Sequence, residues 1–192
     1  MTPRLTLLCH ASTDAVRRAA FPIDEPLDER GAAQAAAAAD RLHAAERSWT
    51  SPALRARQTA AALRLTAATD PALRDCDFGR WAGRRLVDLQ ADEPDAVASW
   101  IGDPAAAPHG GESILDVLRR VAAWLDERRR EAGHGVAVTH PVVIRAAVLH
   151  VIGAAPDAFW RIDVEPLTCT DLRRNGDRWT LRSTGCRLDD SA

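Results

Sequence analysis

Three side chains stand where chemistry is possible. Residues 5–13 read Leu-Thr-Leu-Leu-Cys-His-Ala-Ser-Thr, an apolar run that stops at His10 and passes into small and hydroxyl residues. Residues 135–139, Gly-Val-Ala-Val-Thr, form a second such run and stop at His140. Between them, Ser51-Pro52-Ala53-Leu54-Arg55 places Arg55 in the first turn of a predicted helix. Two imidazoles, one guanidinium and helix N-termini facing one crevice make a pocket for a phosphate dianion. A neutral His10 can attack phosphorus, since histidine is a covalent catalyst in its own right. Phosphoryl transfer asks mainly for positioning and charge stabilisation, which Arg55 and His140 supply.

The elements around these residues have to bring them together. A short apolar run bounded by small residues reads as a buried parallel strand. In open α/β sheets ligands bind beyond the carboxyl ends of such strands, where His10 and His140 both fall. A long polar loop is predicted over residues 12–29 and an alanine-rich helix over 32–45, opened by Asp28 or Gly31. A weak strand follows at 47–50. Ser51-Pro52 reads as N-cap and first helical residue, and the helix behind it turns Leu54, Ala61 and Leu65 toward the core. Residues 74–83 are irregular, and 84–100 are helical with a break at Pro94. Residues 103–111 are a loop. A long amphipathic helix then opens at Glu112 or Ser113 on Ile114, Val117, Leu118, Val121 and Leu125. Pro141 starts a helix through Ile152. Residues 159–164 are read as a strand, and Asn175-Gly176 as the turn of a C-terminal hairpin.

Composition bounds the rest. The 192 residues suit one α/β domain over 1–192, with strand and helix alternating up to the hairpin. The net charge of −2 gives no global field for nucleic acid or a membrane surface. Every basic side chain outside histidine is arginine. Cys9, Cys76, Cys169 and Cys186 are far apart in sequence and form no CxxC pair, so no metal site or disulfide framework is expected, and a reducing cytoplasm fits. The apolar start is too short for a signal segment or a membrane span. Oligomeric state is unreadable.

Six segments in order resemble the histidine phosphatase superfamily, in its phosphoglycerate-mutase-like branch. They are Cys9-His10-Ala11, Pro26-Leu27-Asp28-Glu29-Arg30-Gly31, the run from Ser51 to Ala60, the run from Asp75 to Gly83, Gly111-Glu112-Ser113, and Thr139-His140. The resemblance implies a three-layer α/β sandwich with a mostly parallel central sheet flanked by helices. It implies a metal- and cofactor-free phosphatase acting on a small phosphorylated metabolite. His10 would carry the phosphoryl group, Arg55 and His140 would bind its oxygens, and Asp75 would protonate the leaving oxygen, with Asp77 and Glu112 as alternative acids. The chain departs from the pattern at Cys9, where the family has a phosphate-binding arginine, and at Ala11, Val16, Asp75 and Pro141. Thr13 and Arg17 join Arg55 and Arg145 as candidate substrate-binding residues; Arg17, Arg18 and Arg145 are the cations available to replace the missing arginine. A non-catalytic phosphate-binding or regulatory protein and a phosphomutase are the competing readings.

Overall fold

The computed structural model describes residues 3–188. β1 (Arg4–Cys9) lies at the centre of a six-stranded sheet. The helices α1 (Asp14–Arg17) and α2 (Glu29–Ala37) lead to β2 (Arg47–Thr50), then α3 (Leu54–Ala62) and the two-residue β3 (Ala68–Thr69). α4 (Leu86–Asp92), α5 (Pro94–Gly102) and α6 (Ile114–Glu127) precede β4 (His134–Thr139). α7 (Pro141–Ile152) follows, then the hairpin β5 (Thr168–Asn175) and β6 (Arg178–Arg187). The spatial order is β3-β2-β4-β1-β5-β6. β3, β2, β4 and β1 run parallel, and β5 and β6 are antiparallel.

Burial on both faces explains why the central strands are continuously apolar. Leu5, Leu7 and Ala137 join Val117, Val121, Leu125 and Ile144 of α6 and α7 in the larger core on one face. Leu8 and Val138 meet Ala56 and Ala60 of α3 on the other, with Ala38 at the end of α2. Three layers result. β1 and β4 are neighbours in register, with Cys9 opposite Thr139, and His10 N–H donates to the Thr139 carbonyl at 2.9 Å. The chain leaves β1 toward one face and β4 toward the other. The two histidines therefore step off the sheet side by side at the point where the winding reverses.

Several local readings need correction. The 12–29 loop contains α1, whose first turn is capped by Thr13 Oγ1 accepting from Val16 N–H. α2 starts earlier than alanine content suggests because Asp28 caps it through Gly31 N–H at 2.6 Å, and it ends at Ala37, where the chain passes into a 3₁₀ turn at Ala39–Arg41. A Cβ on Gly31 would sit 2.3 Å from the Ser12 carbonyl oxygen, so that glycine lets α2 touch the loop behind His10. Ser51 does not cap α3. Ala53 stands at that position, and Asp24 Oδ1 accepts from Leu54 N–H at 2.7 Å from across the chain. The buried face of α3 is Arg55, Ala56, Thr59 and Ala60; Ala61 is exposed, and Leu54 and Leu65 are only half-buried. Residues 159–164 are not a strand, because Pro156 opens a 3₁₀ turn through Arg161 that aims Phe159 into the core.

Candidate active site

His10 owes its state to one hydrogen bond. Its Nδ1 lies 2.8 Å from the Ala11 carbonyl oxygen. A carbonyl only accepts, so Nδ1 carries the ring proton and Nε2 keeps its lone pair. Burial lowers the His10 pKa from 6.5 to about 4, with the Arg55 charge lowering it further and the Ala11 bond and Asp75 opposing. The ring is therefore neutral at physiological pH. Thr59 Oγ1, one turn along α3 from Arg55, accepts from Ala11 N–H at 3.0 Å and donates to the Arg55 carbonyl. That side chain fastens the loop behind His10 to the helix that carries Arg55.

His140 stands 5.1 Å from His10 between ring centroids. Ser51 Oγ accepts from Ala53 N–H and lies 2.7 Å from His140 Nε2. Because the Asp75 carboxylate faces the other ring nitrogen, Nε2 is the acceptor and the Ser51 hydroxyl the donor. The His140 proton is then on Nδ1, facing Asp75 Oδ2 at 3.3 Å. Burial holds this ring well below the usual histidine range.

Arg55 is 3% exposed. Nη1 donates to the Ile23 carbonyl at 2.9 Å and Nη2 to Asp75 Oδ2 at 2.6 Å. Its Nε has no hydrogen-bond partner among the described residues. Burial pushes the Asp75 carboxyl up, but His140, Arg55 and His10 outweigh burial and hold it below its ordinary value. The two alternative acids are engaged elsewhere. Glu112 is paired with Arg74 and Arg120, and Asp77 caps Gly79 N–H. Asp75 alone of the three joins the histidines.

A pocket of about 170 Å³ opens over this cluster, with His10, Glu25, Arg55, Asp75 and Arg145 in its lining. Phe78, Trp100 and Trp160 form an aromatic wall. Arg145 is held by Nε donating to the Ile162 carbonyl at 2.7 Å and by the faces of Phe159 and Trp160. Arg17 and Arg18 are placed elsewhere. Arg17 pairs with Asp14 and Asp28, Arg18 with Asp14, and both are largely exposed outside this pocket. Thr13 is buried at its capping bond and is also outside the lining. Cys9 is fully buried. Burial drives its thiol far up, Asp75 adds to that, and Arg145 and Arg55 counter it, so the sulfur is un-ionised and no nucleophile. His109 is packed against Phe78, Trp81 and Trp100, its Nδ1 accepting from Gly111 N–H.

Asp24 and Glu25 stand in the 12–29 loop, and Ser51 and Thr59 in the run from Ser51 to Ala60, but their contacts at the site come only from the fold. Gln58 lies in the same run, and its Oε1 accepts from Leu27 N–H at 2.8 Å, tying the entry loop to α3. Among the described residues, no group of three or more His, Cys, Asp or Glu side chains could hold a metal ion.

Comparison with known proteins identifies the family and the fold. Residues 5–187 fit the model of the histidine phosphatase superfamily, branch 1. A glucosyl-3-phosphoglycerate phosphatase of Mycobacterium tuberculosis is 35% identical over 154 residues, covering 74% of this chain and 69% of its own. Phosphoserine phosphatase 1 of Hydrogenobacter thermophilus is 29% identical over 168 residues, covering 82% and 80%. The solved structure of mycobacterial glucosyl-3-phosphoglycerate phosphatase with VO3 superposes at a TM-score of 0.85 and 28% identity, over 95% of this chain and 98% of that one. Two histidines leaving adjacent parallel strands, with a buried arginine and a carboxylate between them, are thus set in a chain that belongs to branch 1 of the histidine phosphatase superfamily.

Proposed function

We propose that the protein hydrolyses small phosphate monoesters, without a metal or cofactor, through a phosphohistidine on His10. The observation that carries this reading is the Nδ1 bond to the Ala11 carbonyl, which leaves Nε2 unprotonated and next to Arg55, His140 and Asp75. Relatives named as phosphatases of glucosyl-3-phosphoglycerate and phosphoserine support it. His10 Nε2 attacks phosphorus as the ester P–O bond breaks, and Asp75 gives its proton to the leaving oxygen. Water then attacks phosphorus, its proton passes to Asp75, and the P–N bond breaks to return His10. Arg55 and Arg145, which line the pocket, bind the phosphoryl oxygens, and buried His140, outside the lining, offers them its Nδ1–H, which has no hydrogen-bond partner among the described residues. In the free site Asp75 is a carboxylate. The phosphate draws Arg55 to itself, which removes part of the downward pull on Asp75, and a monoanionic ester brings the proton that loads it.

The same proposal treats the chain as one such domain in a reducing cytoplasm, on the strength of its four free thiols. No helix among the described residues is long and apolar enough to cross a membrane.

Two outcomes test this. Phosphate release from an aryl phosphate is expected to persist in a strong chelator, with kcat/KM greatest between about pH 4, below which His10 is protonated, and roughly pH 6, above which the ester loses its proton. An acid limb at 6.5, or a loss on chelation reversed by one divalent ion, contradicts it. Asp75→Asn is expected to slow alkyl phosphates far more than an aryl phosphate, because a stable phenolate leaves without a proton. Equal slowing of both removes Asp75 from the acid role.

A further inference from the structure

Glu25 is a buried acid that the chemistry above does not use. It lines the pocket beside His10, and its side chain is 13% exposed. Both carboxyl oxygens are buried, and neither has a hydrogen-bond partner among the described residues. Arg55 Nη1 approaches Oε1 only to 3.8 Å, being occupied by the Ile23 carbonyl. A buried acceptor without a donor is costly, and a bound ligand that supplies one relieves that cost.

The charges lining the pocket narrow what the ligand is. Arg55 and Arg145 are its two guanidiniums, and the phosphoryl group takes both in the reading above. Asp75 serves the leaving oxygen. No cation remains for a second anion, and Glu25 repels one. The remaining wall, Val16, Pro22, Phe78, Trp100, Val142 and Trp160, is apolar, so it favours the carbon skeleton of an alcohol.

We infer that Glu25 reads the leaving group, and that the substrates are phosphate monoesters whose alcohol carries a hydroxyl or ammonium donor and no carboxylate or second phosphate. This rests on the phosphatase reading for its chemistry but concerns only the alcohol side of the pocket. It separates this chain from its named relatives, since phosphoserine and glucosyl-3-phosphoglycerate both bear a carboxylate. It also disfavours a phosphomutase, which has to hold a bisphosphate.

Two matched pairs test it. Glycerol 3-phosphate and 3-phosphoglycerate differ in a hydroxymethyl group against a carboxylate; phosphoethanolamine and phosphoserine differ in one added carboxylate. Each is measured for turnover and, by calorimetry on the intact protein, for binding, with phenyl phosphate as reference. The carboxylate-free member is expected to lead by about tenfold or more in at least one pair, and the pair that discriminates names the donor. Glu25→Gln is expected to collapse that ratio mainly through KM, by relieving the carboxylate-bearing member. A merely structural role would change all five esters by one factor, and that result overturns the inference. So does a wild-type preference for the carboxylates, or binding of none of the esters. Should Glu25→Gln fail to fold, the wild-type ratios decide alone. If nothing is turned over but the binding preference holds, the hydrolytic reading fails and the Glu25 inference stands.

Discussion

His10→Ala is expected to lower turnover by a factor on the order of 10⁴ to 10⁶, the scale seen when a covalent nucleophile is removed. No other group in the pocket replaces it. Cys9 is buried and un-ionised, and His140 Nε2 is occupied by Ser51. The fold is expected to survive, because the lost side chain makes one hydrogen bond, to its own neighbour's carbonyl. Stability gives an independent readout. The His10 pKa falls from 6.5 to about 4 on folding, so between those values the unfolded chain binds more protons. Stability therefore declines as pH drops through that window. The variant loses this contribution, and its melting temperature is expected to depend less on pH there. Near-normal turnover in His10→Ala would end the phosphohistidine account.

The second large effect concerns Cys9, which stands where the resemblance leads one to expect a phosphate-binding arginine. Arg145 is the cation the pocket offers in its place, since Arg17 and Arg18 are tied to Asp14 and Asp28 outside it. A charge-assisted hydrogen bond is worth about 1.5–3 kcal/mol, on the order of ten- to a hundredfold in rate. Arg145→Ala is expected to cost at least that much in kcat/KM, and Arg17→Ala or Arg18→Ala far less. Cys9→Arg alone is expected to gain nothing. Position 9 is fully buried within the field of Arg145 and Arg55, so a third guanidinium meets both crowding and like charge. Added to Arg145→Ala, the same substitution is expected to restore part of the loss. A gain from Cys9→Arg in the presence of Arg145 would show that Arg145 does not fill the role.

The frame of the site was legible because its signals are local. Residues 5–8 and 135–139 are apolar strands that end in histidine, and the sheet pairs them in register. Ser113, read as one of two openings for its helix, is the N-cap of α6, with Asp116 completing a capping box. The hairpin was legible too, though its turn falls one residue later than expected, at Gly176-Asp177, because Asn175 still pairs with Arg178; Gly176 has a φ of 61°. What stayed hidden depends on partners distant in sequence. Beside the expected Arg55, the inward face of α3 carries Thr59, a polar residue that periodicity assigns to solvent. Phe159 and Trp160 look strand-like by composition, yet Pro156 sets a 3₁₀ turn. Glu25 sits in a polar loop, and only the packing of that loop against α3 makes it a pocket wall. Choosing among Arg17, Arg18 and Arg145 likewise required seeing which carboxylates hold the first two.

The most direct test is to catch the intermediate. The protein is mixed with an aryl phosphate, quenched within one turnover in alkaline denaturant, digested and weighed by mass spectrometry. The account predicts the mass of one phosphoryl group on the peptide containing His10, lost when unlabelled water completes turnover and absent from His10→Ala. Rapid phosphate release with His10 unmodified throughout, or a phosphoryl group on any other residue, would contradict it.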